Sequence, residues 1–432
     1  MKNKAFNLGK TFLKHELVNN SLYLLIGNNI SNFLAFVLNL FLARSLIPQD
    51  YGEYASLLSI FTLMGILVQG LITIITRFAA DYFAQNKNAK AASLYFKMFK
   101  FMVITSLFIF IGFLIFSVQI KNFLHLNNVW YVIILALAIT FSYLTIVNTA
   151  FIQSILRFGF LSSILVSSVS MRLIIGVILI TLGFRVFGAV WAMFTSTFFA
   201  FILGFIPLRF IFQYRSESKN ITIPTKEIIS YALPTSLAIF SVSSFTFMDV
   251  VLVRHFFTAT ESGFYAGISL IGKVIFYFTG PISMVMFPLI IKRHAKGENF
   301  KNLFYLSLVL VSVPSIAITA FYFLFPEFTI NFFLGGGKYM QIIPYLGIFG
   351  IYLTIFSILN VFISFFLSLN KTKISVVVLA GAISQIIAIN FIHNSFFQVI
   401  GVSLFISSLL LITLLLYYIL AYGQAFKKAK RT

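Results

Sequence analysis

Residues 129–150 read VWYVIILALAITFSYLTIVNTA, with no charged side chain among them. A helix rises about 1.5 Å per residue, so about 20 apolar residues cross the roughly 30 Å hydrocarbon core of a bilayer. In lipid the backbone has to satisfy its own hydrogen bonds, and a run of this length does so as a helix. The same pattern recurs on both sides of this stretch. Toward the N-terminus it covers 22–43, 54–76 and 99–118; beyond it come 160–182 and 187–208. After a short polar stretch follow 231–253, 264–290, 303–325, 341–366, 374–392 and 398–421. The expectation is an all-α integral membrane protein with twelve transmembrane helices.

Composition agrees. Hydrophobic residues make up 60% of the 432 and charged residues 9%, and the mean hydropathy is +1.01. A soluble domain carries about 25% charged residues, so so few charges could not cover a water-facing surface. There is no cysteine, which excludes disulfides, thiolate metal sites and cysteine nucleophiles. The net charge of +21 would suggest nucleic acid in a soluble protein. Here the basic residues sit in short segments between apolar runs, so they are read as orientation signals and no nucleic-acid partner is expected.

With the N-terminus inside, the outside segments hold only Arg44, Lys121, Arg185, Arg254 and Lys338. Arg172 and Lys273 fall within spans, and the other 24 of the 31 basic residues lie inside. This asymmetry is the positive-inside pattern, and an odd number of spans would destroy it. Both termini are therefore expected in the cytoplasm. The first run is too long for the apolar core of a cleavable signal and is expected to remain as a span.

The two halves of the chain resemble each other. Gly52-Glu53-Tyr54-Ala55 recurs as Gly263-Phe264-Tyr265-Ala266, and Leu42-Ala43-Arg44 as Leu252-Val253-Arg254 with one residue gapped. Phe184, Val186 and Gly188 recur as Phe397, Val399 and Gly401, and Asn148 as Asn360. The nearly constant offset points to duplication of a six-span unit: 1–212 and 231–432, joined by a cytoplasmic linker at 213–230. Six is even, so both halves share one orientation, related by a pseudo-two-fold along the membrane normal. No connecting segment leaves room for a soluble catalytic domain, and no phosphate-binding loop marks an ATPase. The chain is not expected to be an enzyme or to hold a cofactor or metal.

Several segments together resemble a known family. They are Arg44 through Ala55 (RSLIPQDYGEYA), Thr76-Arg77-Phe78-Ala79, Met286-Phe287-Pro288 leading into Lys292-Arg293-His294, Leu334 through Tyr339, and Leu369 through Lys373. In order and spacing, from about residue 20 to 420, they resemble the polysaccharide transporter family of the MOP exporter superfamily. That family includes the O-antigen and capsule repeat-unit flippases. The resemblance implies movement of an undecaprenyl-pyrophosphate-linked oligosaccharide across the bacterial inner membrane, with polysaccharide polymerase machinery as a further partner. The superfamily's drug exporters rely on buried carboxylates in their N-terminal half, and spans one to six here contain none well inside the membrane. Its lipid-linked peptidoglycan-precursor flippases carry two additional C-terminal helices, against the twelve spans expected here.

Charges inside a membrane cost about 2.5–3.5 kcal/mol each at a helix centre, so those retained are candidates for function. Lys273 lies deep in the eighth span on a face that reads Ser262, Ala266, Ser269, Lys273, Tyr277 and Gly280. That stripe suits other helices or a wet cavity better than lipid. Arg172 lies near the middle of the fifth span, opposite a stripe of Ser163, Ser167 and Ser170 that suits close helix packing. Both cations are expected at a central cavity as phosphate-binding donors, the alternatives being snorkelling for Lys273 and a structural ion pair for Arg172. Arg77 ends the second span where the family has a basic residue, and as a helix-end arginine it also suits a lipid phosphate. Asp249 is the one acid clearly inside a span. It needs a cation, either Lys273 or Arg254, and is a candidate for ion coupling or a fixed ion pair. Asn28, Asn32 and Asn39 share one face of the first span and suit either glycan hydroxyls or helix–helix bonds.

Other readings differ in substrate or class. One is an ion-coupled exporter of a drug or another amphiphile on the same fold. A major-facilitator transporter would carry a glycine-framed basic cluster between spans two and three, where this chain has Asp81, Lys87 and Lys90 without glycines. An intramembrane acyltransferase would carry a histidine within a span, whereas the five histidines lie at or near span ends.

Overall fold

A computed structural model describes residues 16–218, 221–223, 225–371 and 373–422. Lys2, Lys4, Lys10 and Lys14, Lys219 in the linker and the basic residues after 422 lie outside the described residues. Twelve helical segments are long and apolar enough to cross a membrane, and the described residues contain no strand. The chain is a multi-pass membrane protein.

The N-terminal six spans are built from α1 (Glu16–Ser45), α2 (Pro48–Leu67), α3 (Gln69–Ala84), α4 (Asn88–Ile115), α6 (Trp130–Ser154), α7 (Phe158–Thr181) and α8 (Arg185–Gly204). The short α5 (Ser117–Phe123) follows α4, and a 3₁₀ segment, Ile206–Tyr214, follows α8. The C-terminal six use α9 (Thr225–Phe256), α10 (Ala259–Ala295), α11 (Lys301–Leu324), α13 (Ile343–Ser368), α14 (Ile374–Phe391) and α15 (Phe396–Tyr422). A short helix α12 (Pro326–Leu334) and a 3₁₀ turn, Gly337–Ile342, precede α13.

Many helices outrun the apolar stretches that announce them. α10 spans 37 residues against the 27 of 264–290, because a helix carries its internal bonds past the hydrocarbon edge. Its start is set by a capping box: Glu261 N–H donates to the Thr258 hydroxyl, and Thr258 N–H donates to the Glu261 carboxylate. The second span is interrupted at Val68, whose φ of −108° and ψ of 0° separate α2 from α3.

The chain divides into two compact units. One comprises residues 1–45 and 60–236, the other 46–59 and 237–432. Against a plain division at 213–230, the boundary lies some way along α9, and 46–59 groups with the C-terminal residues. Each unit has its own hub. In the first, α6 packs against α3, α4 and α8, while α7 packs against α1 and α8. In the second, α13 packs against α10, α11 and α15, and α14 against α15. The two hubs match: each packs against the second, third and sixth spans of its own unit. The sharp turns match too: positive φ occurs at Asn86 and Gly297, at His125 and Gly336, and at Leu156 and Asn370. These pairs are separated by about the offset of the sequence repeat.

Candidate functional site

Lys273 lies near the middle of α10, and the start of its stripe faces protein. Ser262, Ala266 and Ser269 are buried, Lys273 is 9% exposed, and Tyr277 is 46% exposed. The ammonium sits 4.3 Å from the ring centroid of Phe247 on α9, an attraction strengthened by removal from water. Two residues along α9, Asp249 is fully buried. Its Oδ2 accepts from the Tyr265 hydroxyl at 2.8 Å and its Oδ1 from Val250 N–H at 2.8 Å. Asp249 and Lys273 attract each other electrostatically. Lys273 is thus buried against the face of Phe247, in the electrostatic field of a carboxylate already bonded by Tyr265.

The surrounding helices fasten α9 at this level. The Phe245 carbonyl accepts from the Tyr352 hydroxyl on α13 at 2.5 Å and from the Gln385 amide on α14 at 3.3 Å. Gln385 also donates to Ser403 on α15 at 2.8 Å. The Tyr322 hydroxyl of α11 donates to the Ile271 carbonyl at 2.8 Å, two residues before Lys273. These bonds hold the backbone of α9 and α10 on either side of Phe247 and Lys273.

Arg254, the other cation open to Asp249 on sequence grounds, is engaged elsewhere. Its Nη2 lies 3.3 Å from the Glu53 carboxylate, and its Nη1 donates to the Ser262 hydroxyl at 2.8 Å. Of the two cations considered for Asp249, Lys273 is the one facing it.

The remaining candidates lie in the first unit. Arg172 is half-buried on α7, and Arg77 is exposed on α3. Asn28 and Asn32 are exposed on α1, whereas Asn39 is half-buried with its amide donating to the Ala35 carbonyl of its own helix at 2.8 Å. The serine stripe of α7 departs from expectation. Ser163, Ser167 and Ser170 line an open groove of about 920 Å³ with Tyr23, Ile26 and Ile30 of α1. Close packing falls instead on Ser162, against Gly27, where an added Cβ would come within 2.6 Å of the Ser162 hydroxyl oxygen.

Sequence reasoning passed over Phe247, Tyr352, Gln385 and Glu53. None carries a signature alone, since aromatic and amide side chains in apolar helices are common. Tyr265 did carry a signal, because it is the tyrosine of the duplicated Gly-x-Tyr-Ala. Among the described residues no cluster of three or more His, Cys, Asp or Glu is arranged to hold a metal.

A family model described as "Polysaccharide biosynthesis protein" matches residues 41–344. No curated protein matches the chain. Solved structures do. An inward-facing MATE-family multidrug resistance transporter of the MOP superfamily aligns at TM-score 0.68 and 16% identity, covering 91% of this chain and 95% of that one. The lipid II flippase MurJ in an inward closed conformation aligns at TM-score 0.67 and 13% identity, covering 91% and 87%. A MOP superfamily transporter from Pyrococcus furiosus aligns at 0.64 and 15%, covering 93% and 94%. At these identities the likeness is one of fold, and the fold is that of MOP-superfamily transporters.

Proposed function

We propose, from the premise that this chain belongs to the polysaccharide biosynthesis protein family, that it is a flippase for an undecaprenyl-pyrophosphate-linked oligosaccharide repeat unit. It acts in the bacterial inner membrane, with both termini in the cytoplasm. The observation that carries the reading is Lys273, a buried ammonium deep in a transporter fold whose family serves polysaccharide biosynthesis. A pyrophosphate-sugar headgroup cannot enter hydrocarbon without losing its hydration. Lys273 and Arg172 replace that water with cationic donors as the headgroup passes, and Arg77 meets it at the cytoplasmic end of the second span. Asn28 and Asn32, exposed on α1, suit sugar hydroxyls, and Asn39 lies farther along the same face. The polyprenyl tail stays in lipid throughout. The family's description, polysaccharide biosynthesis, supports this choice of substrate over a drug, and a lipid II flippase stands among proteins of the same fold. Alternating access then exposes the site to each side of the membrane in turn.

The test is a deletion strain lacking any second flippase gene. It is expected to make lipid-linked repeat units that stay unpolymerised in the cytoplasmic leaflet. Plasmid-borne wild type restores surface polysaccharide, Lys273→Gln and Arg172→Gln do not although both reach the membrane, and Lys273→Arg restores it in part. Normal surface polysaccharide in the deletion strain would rule out the substrate. Full complementation by both neutral variants would rule out the cationic site.

A further inference from the structure

Among the segments that carry the family resemblance, Leu369 through Lys373 has no part in the function proposed above. Its first residues form a helix stop. Asn370 takes the left-handed conformation at φ 61°, its N–H donates to the Leu367 carbonyl at 3.0 Å, and Lys371 N–H donates to the Phe366 carbonyl at 3.0 Å. This pair of bonds closes a helix C-terminus, and asparagine tolerates the conformation it needs. The backbone of Lys371 is thereby tied to the end of α13, and α14 begins three residues later at Ile374.

Beside this turn the ends of α14 and α15 leave a cleft of about 510 Å³, a size in the roughly 300–1,000 Å³ range of small-ligand sites. Its rim is polar and basic, formed by Asn370, Lys371 and Lys373. Both lysines are exposed, and among the described residues neither is in a salt bridge. No carboxylate lines the cleft, and the sequence has no acidic residue after Glu327. The walls are apolar: Val377 on α14, with Leu414 and the ring of Tyr417 on α15. That ring lies 5.1 Å from Phe366 and is 40% exposed, the half-wet setting in which tyrosine marks a membrane boundary. At 1.5 Å per residue, Leu414 stands about 12 Å along α15 from Tyr422. The cleft therefore runs from two unpaired ammonium groups down a hydrocarbon wall. It is also open to lipid, because α14 packs mainly on α15 and touches α13 only slightly.

We propose that this cleft binds one anionic phospholipid of the cytoplasmic leaflet, its phosphodiester between Lys371 and Lys373 and its acyl chains along Val377 and Leu414. A soluble anion would leave the apolar wall unused, and an alkyl chain alone would leave both ammonium groups without a counter-ion. A phosphodiester carrying acyl chains satisfies both, and basic pockets between spans on the cytoplasmic side take such headgroups. The site is separate from Lys273, which lies near the middle of α10, so phospholipid and cargo do not share cations. The orientation given above supplies the leaflet; the site itself does not depend on what is transported.

The test is native mass spectrometry of the full-length protein in a neutral detergent, titrated with phosphatidylglycerol or phosphatidylcholine of matched chains. One phosphatidylglycerol is expected to be retained at a concentration on the order of tenfold below that needed for phosphatidylcholine, since each lysine near a membrane surface favours an anionic lipid. Lys371→Gln with Lys373→Gln is expected to abolish that preference. Lys292→Gln with Lys296→Gln removes the same charge from the end of α10 and is expected to keep it. Thr413→Trp fills the cleft, which Thr413 also lines, without changing charge, and is expected to lose the lipid. Equal loss in the α10 variant, or undiminished binding in Thr413→Trp, would overturn the site in favour of general surface charge. Displacement by glycerol 3-phosphate at the concentration of the lipid would make it a free-anion site. Displacement by undecaprenyl phosphate at a lower concentration than phosphatidylglycerol would make it a cargo site. Either result would overturn the phospholipid assignment. None of these measurements reads transport, so their failure leaves the flippase reading intact.

Discussion

At the residue scale, the arrangement around Asp249 bears on how transport is driven. Its two oxygens accept from Tyr265 and Val250, and Lys273 is the cation facing it. On the function proposed above, an arriving pyrophosphate would draw Lys273 away and leave Asp249 as a buried charge without its counter-ion, and taking up a proton would neutralise it. Substrate and proton binding would then support each other, a coupling free energy between two sites. Asp249→Asn keeps the shape of the side chain and removes the exchangeable proton. In proteoliposomes it is expected to abolish accumulation driven by a proton gradient while keeping downhill exchange between leaflets. Retained accumulation, or loss of exchange as well, would make the carboxylate a fixed structural partner. That Lys273 and Asp249 lie within spans was legible in the sequence, and that both are buried is what the structure adds. That Tyr265 and Phe247 complete the pair was not legible, since their bonds join helices whose relative rotation no local pattern encodes.

At the scale of elements, apolar run length located the helices and left their ends and breaks undetermined. The interruption at Val68 has no proline beside it; Gln69 and Gly70 follow it inside an otherwise apolar run. The hubs α6 and α13 follow from burial: 50% and 72% of their most apolar windows are covered by protein. α6 is tied to its neighbours by Asn148, whose Oδ1 accepts from Tyr95 of α4 at 2.8 Å and whose amide donates to the Phe201 carbonyl of α8 at 3.4 Å. Gly204 lets α8 approach, since a Cβ there would lie within 2.8 Å of the Asn148 amide nitrogen. Interhelical hydrogen bonds in membranes contribute about 0.6 kcal/mol on average and about 1.7 kcal/mol at most. Tyr95→Phe is therefore expected to lower stability by about 1 kcal/mol, read by steric trapping or thermal unfolding in detergent. No change would mean that Asn148 finds another donor. The recurrence of Asn148 as Asn360 pointed to this position, but only packing identified its partners.

At the scale of the whole molecule, the distribution of basic residues makes an independent prediction. Reporter fusions after Lys90 and Lys296 should read cytoplasm, and fusions after His125 and Gly336 should read the opposite side; a single reversed site would require a different number of spans. Span number, all-α class and internal duplication were determined by the sequence itself. Each rests on a property summed along the chain: apolar length against bilayer thickness, charge alternation between short segments, and a repeated offset. Tertiary structure alone decided that residues 46–59 join the C-terminal unit, that Glu53 rather than Asp249 takes Arg254, and that the serines of α7 line a groove. These depend on which helix faces meet and at what distance, as at Gly52 and Gly263, where the absence of a Cβ permits the contact. Lipid matches the apolar faces of all the spans about equally, so hydrophobicity announces that helices exist but does not choose their partners. Small residues and a few buried polar bonds make that choice, and they act only once the helices are side by side.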